Sequence, residues 1–159
     1  MLIGKNLFNA CTVTQHIGAQ SVSGATVNGT AILEPWKTAR QLIFLFNLGD
    51  VGASGTGDVA FEQRLRADGS TWSAINNDDG NALVIADMDD ATAFEDATVM
   101  ATIDTSRIDS VLYDGVRATF TAAVAAIVMS CDVIHFDLHS KPSGQVDQIF
   151  SLLDGVADA

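Results

Sequence analysis

Val116-Arg-Ala-Thr-Phe-Thr-Ala122 alternates apolar and polar residues over seven positions. A period of two puts Val116, Ala118, Phe120 and Ala122 on one side and Arg117, Thr119 and Thr121 on the other, the pattern of a strand with one buried face. The same period recurs upstream, where Val59, Phe61 and Leu65 oppose Glu62, Arg64 and Arg66. It recurs downstream as well, where Ile134, Phe136 and Leu138 alternate with His135, Asp137 and His139. Those three apolar residues are therefore expected to face the core.

Two further segments are apolar on both sides: Leu-Ile-Phe-Leu-Phe-Asn-Leu at 42–48, and the run at 122–129. Strands of this kind need cover on both faces, which in a small protein points to a second subunit. Leu42, Phe44, Phe46, Val124, Ile127 and Met129 are accordingly the expected oligomer contact. Weaker strand signals lie at 11–15, 26–32, 82–86 and 98–103, separated by clusters of Gly, Asp, Asn and Ser. About eight short strands predict an all-β fold, a β-sandwich of the jelly-roll kind. A helical period appears only near the end, where Val146, Ile149, Phe150 and Leu153 follow Ser143, predicting a short C-terminal helix or extended tail. The expected organisation is an N-terminal arm (1–10), one sandwich domain (11–140) and a tail (141–159).

Bulk properties narrow the function. The 159 residues, 48% of them hydrophobic, suffice for one core without metal or disulfide staples. A net charge of -12 repels phosphate backbones and anionic headgroups, so nucleic acid and membranes are poor partners. Nine of the acids fall between Arg66 and Arg107, a stretch without Lys or Arg. The opening Met1-Leu-Ile-Gly-Lys5-Asn-Leu-Phe8 lacks the basic and apolar regions of an export signal. Cys11 and Cys131, 120 positions apart and outside any CxxC, read as reduced thiols.

Chemistry-bearing patterns are few. His135, Asp137 and His139 at i, i+2, i+4 on a strand share a face and could bind zinc or iron, but an outward polar face would show the same residues. Asn76-Asn-Asp78-Asp79-Gly80-Asn81 offers oxygen ligands yet departs from a calcium loop and reads as a turn. The glycine-rich stretch at 49–57 follows an apolar strand but leads into another strand, whereas a phosphate loop leads into a helix. No G-x-S-x-G element accompanies the three histidines. An enzyme is not expected, nor a cofactor. Trp36 and Trp72 lie near turns, where flat rings could also receive a sugar.

Three stretches carry a resemblance: Gly4-Lys-Asn-Leu-Phe-Asn-Ala10, then Val27-Asn-Gly-Thr-Ala-Ile32 leading into 42–49, and Phe61-Glu-Gln-Arg-Leu-Arg-Ala-Asp68-Gly69-Ser70-Thr71-Trp72. In this order, with Tyr113-Asp-Gly-Val-Arg-Ala-Thr-Phe-Thr121 farther on, they resemble the small β-sandwich decoration (cement) proteins of tailed-bacteriophage capsids. The likeness covers about half the chain, and it lapses in the acidic middle and after Lys141. It implies a structural virion protein, assembled in the host cytoplasm, that binds the major capsid protein on the outer shell surface, commonly as a homotrimer. The terminal residues Leu2, Ile3, Leu7, Phe8, Ile149, Phe150 and Leu153 would then be arms onto the coat. A glycan- or receptor-binding module of a head fibre or tail accessory is the alternative.

Overall fold

The computed structural model describes residues 11–77, 79–89 and 96–138. They form a two-sheet sandwich in which every paired strand is antiparallel. One sheet has the order β1 (Cys11–Val22), β10 (Ile127–Leu138), β4 (Ala39–Val51), β8 (Thr98–Asp104). The other has β9 (Tyr113–Ala123) beside β5 (Thr56–Leu65) at its centre. On the free side of β9 lie β2 (Ala25–Asn28) and β3 (Ile32–Leu33), while β6 (Trp72–Ala74) and β7 (Val84–Asp89) line the far side of β5. With β2/β3 and β6/β7 each counted as one broken strand, eight strands cross between the sheets in jelly-roll order, as expected. The helical content of the described residues is small: α1 (Pro35–Thr38) and a 3-10 turn at Thr105–Arg107. None of it is long and apolar enough to cross a membrane.

Alternation determines which side chains meet between the sheets. In β4 the even residues Leu42, Phe44, Phe46 and Leu48 are buried, and in β5 and β9 so are Val59, Phe61, Val116, Ala118 and Phe120. Phe61 meets Phe44 edge to face with centroids 5.2 Å apart, and lies 6.2 Å from Phe46. Burying each ring stabilises the fold by about 2–3 kcal/mol before packing geometry adds to it.

Three sequence-based expectations change here. First, the core takes up Leu42, Phe44, Phe46, Ile127 and Met129, whose side chains are at most 1% exposed within a single chain. Of the residues expected to touch another subunit, only Val124 is at the surface, 79% exposed. Second, β10 has the opposite phase to the one its alternation suggests. Met129, Cys131 and Val133 point inward, and the ladder pairs His135 with the core residue Leu42 and Phe136 with outward Gln41. His135 therefore extends the inner row, and Ile134 and Phe136 lie in the outer one.

Third, the apolar run at 122–129 is two strand ends joined by a corner and not one strand. The chain ends β9 at Ala123, turns through Val124 with φ +68°, and resumes at Ile127. Its residues are small because another turn packs there: the Ala125 methyl lies against Gly52 and Gly55, and Gly52 N–H donates to the Ala126 carbonyl at 2.9 Å. Asp68-Gly69 forms a turn between β5 and β6. Gly69 has φ +62°, and the Asp68 carboxylate accepts from Ser70 N–H and Thr71 N–H, each at 2.9 Å. With the Thr71 hydroxyl as the leading contributor, these bonds hold the Asp68 carboxyl down to about 2.

The expected C-terminal helix and both terminal arms, from Leu2, Ile3, Leu7 and Phe8 to Ile149, Phe150 and Leu153, lie outside the described residues.

Candidate functional site

The strongest polar anomaly in the core is His16, which is 4% exposed. Strand β1 slips register against β10 between Gln15 and Ile17, so His16 is the extra residue of a bulge and turns inward beside Ile17. Its ring stands edge-on to Phe44, with centroids 5.2 Å apart. Across the sandwich, β2 leaves β9 at Asn28, and β3 rejoins it only at Ile32. His16 fills that break: Nε2 accepts a hydrogen bond from Ala118 N–H at 2.9 Å, while the His16 carbonyl accepts from Thr30 N–H at 2.9 Å. The side chain replaces a missing strand partner, which explains how a buried backbone donor is satisfied there. Gly29 is obligatory beside it, since a Cβ at that position would fall inside the imidazole.

Because Nε2 is the acceptor, His16 is neutral. Burial is the main cause that takes its pKa from the ordinary 6.5 to about 4, with nearby His135 adding a smaller push in the same direction. His135 is also lowered by burial, and its Nε2 lies 3.1 Å from the Thr14 hydroxyl. The two histidines, with Thr14, Thr30 and Ile32, line a small cleft of about 230 Å³.

The structure thus brings His135 to His16 and separates it from Asp137. Asp137 adopts φ +54°, which interrupts the strand alternation, and its carboxylate lies 3.3 Å from Arg40 Nε at the surface. No group of three His, Cys, Asp or Glu suited to a metal occurs among the described residues, and His139 lies outside them. Asn77 closes the expected acidic turn, its side-chain oxygen accepting from Asp79 N–H and Asn81 N–H at 3.0 Å. Both cysteines are buried thiols, and burial together with Asp132 pushes Cys131 up to about 12, far from a reactive thiolate.

The sandwich has two unlike outer faces. On the β9/β5 side, charge is paired and aromatic rings are covered: Arg117 Nε lies 2.7 Å from Glu62, with its guanidinium 4.1 Å above Trp72, and Arg64 Nε lies 2.7 Å from Asp114. Thr26 and Thr121 hydroxyls bond at 2.8 Å on the same side. On the β10/β4 side, an apolar patch sits among polar outward positions, with Val13, Ile134 and Ile43 in register across three strands and Leu45 beside Met100. The second tryptophan, Trp36 on α1, lines a cleft of about 490 Å³ with Arg40, Asp104, Phe136 and Asp137, and Arg66 lies 5.9 Å over its ring.

No protein-family model and no curated protein matches the sequence. Solved structures similar to it include a chain from the disulfide-linked pili of Bacillus endospore appendages, at 13% identity and TM-score 0.41, over 81% of this chain and 89% of that one. The infectious bursal disease virus VP2 subviral particle matches at 10% identity and TM-score 0.44, over 78% of this chain and 31% of that one. Xylanase10C of Cellvibrio japonicus, in complex with xylopentaose, matches at 15% identity and TM-score 0.42, over 82% of this chain and 27% of that one. This chain thus spans under a third of the VP2 and xylanase chains.

Proposed function

We propose that this chain is a structural virion protein that binds the outer surface of a bacteriophage capsid and stabilises it, acting as a homotrimer on the major capsid protein. The observation that carries the reading is the unlike pair of outer faces: a sandwich with one internally ion-paired face and one bearing an apolar patch across its central strands suits contact with protein on one side. The ordered motifs shared with phage decoration proteins supply the kind of partner. Cementing needs no reactive group, because many copies of a modest contact add up across a symmetric shell. Purified protein is expected to co-sediment with expanded phage capsids and to raise the temperature at which they rupture. Protein that stays in the supernatant at saturating concentration refutes the reading.

A second reading rests on Trp36, which lines a concave cleft with Arg40, Asp104 and Asp137, the mix of flat ring and polar groups that suits a sugar. It predicts that oligosaccharides shift the tryptophan fluorescence, and that Trp36→Phe abolishes the shift. A flat titration across a sugar panel disposes of it.

A further inference from the structure

We infer that copies of this chain associate through the outer face of the β1-β10-β4-β8 sheet. The inference deepens the trimer reading and rests on it for the expectation of an oligomer, but the face is chosen by the structure. The ladder gathers outward apolar residues in three rows: Val13, Ile134 and Ile43 beside Thr102, Leu45 and Met100 beside Gln15 and Asp132, and Phe136 beside Gln41 and Asp104. Met100 is 65% exposed, and the others are only half-buried in the single chain. An apolar group left in water at this density favours association at about 25 cal/mol per Å² removed.

Charge and area select a second copy as the occupant. The chain carries -12 overall, so copies repel one another unless they meet where acids are sparse. Outward positions of these three ladders hold no Lys or Arg and only two carboxylates, Asp104 and Asp132. One of them, Asp104, already accepts from Ser106 N–H at 2.9 Å. A foreign partner chosen by electrostatics would be met by the acidic parts of the surface and not by this face. In size, the twelve residues of β10 extend roughly 40 Å, and four strands about 4.8 Å apart make a face on the order of 700 Å². That is close to the roughly 800 Å² each partner contributes to an ordinary stable interface. The opposite sheet exposes Leu33 and Val84 on its flanking strands β3 and β7, and the middle of its outer side is occupied by the Arg117–Glu62 and Arg64–Asp114 pairs.

Sedimentation velocity of the full chain tests this. Wild-type protein is expected to associate below about 100 µM, with Leu45→Lys and Met100→Lys each weakening association by roughly tenfold or more through desolvated like charge, and Thr26→Lys, on the opposite face, leaving it unchanged. Thermal midpoints identify any variant that has lost its fold; if Leu45→Lys does so, Met100→Lys decides, because that side chain is mostly in water. A monomeric wild type overturns the inference, whether the coat or the chain's own ends cover the face. Met100→Lys associating like wild type overturns it too, as does Thr26→Lys dissociating equally. Monomeric protein that still binds shells would refute this face and leave the capsid reading standing.

Discussion

Gly29→Ala is expected to destabilise the protein by about 3 kcal/mol, the sum of forced repacking and a buried amide losing its acceptor. The added methyl would occupy the place of the His16 ring, so the ring must swing out and release Ala118 N–H. For a chain of this length the thermal midpoint should fall by roughly 10 °C. The cause is identified by a double-mutant cycle: in a His16→Ala background the same substitution finds open space, and its cost should shrink to a small fraction. Equal costs in both backgrounds would show that strain elsewhere is responsible.

Acid should weaken the fold well before its carboxylates titrate. His16 has an ordinary pKa of 6.5 when the chain is unfolded and about 4 when folded. Between those values the unfolded chain holds the extra proton, so stability is full above pH 6.5 and declines as pH falls toward 4. The total loss is about 3 kcal/mol. Lowered His135 acts in the same direction. The lowered carboxyls of Glu34, Asp68, Asp104 and Asp114 start from ordinary values of 4.5 or 3.8 and lose their contribution at lower pH. Urea midpoints measured from pH 7.5 to 4.5 should show the decline, and His16→Gln, which keeps an acceptor without the titration, should flatten most of it. An unchanged slope in His16→Gln would assign the acid sensitivity to other groups.

Much of the architecture is legible in the sequence because one-sided strands announce themselves. Val116 to Ala122 and Val59 with Phe61 face the core as their alternation requires. Legibility fails where both faces are apolar. Leu42, Phe44 and Phe46 could not be told from Ile43 and Leu45 by pattern, since the choice depends on which row meets Phe61 across the sandwich. At 134–138 the outward row is the apolar one, so alternation pointed to the wrong side and made His135 look like a surface group. His16 gave no local signal, because its role joins a bulge to a backbone donor 102 residues away. Gly29 carries the same information in silence: inside the strand signal at 26–32 it is one glycine among polar residues, whereas its purpose is to make room for a ring.

The strand order β1-β10-β4 has a consequence for how the protein is made. The last of the described strands lies in the middle of its sheet, so β1 lacks its ladder partner and β4 lacks one neighbour until β10 has left the ribosome. At about 5–20 residues per second, several seconds separate the emergence of β1 from that of β10. During that interval the apolar strand β4 presents an open edge, the species most open to misassembly. Folding of this sheet therefore waits until β10 has emerged, and a nascent chain stalled before Ile127 should be held by chaperones while one extended well past Leu138 is not.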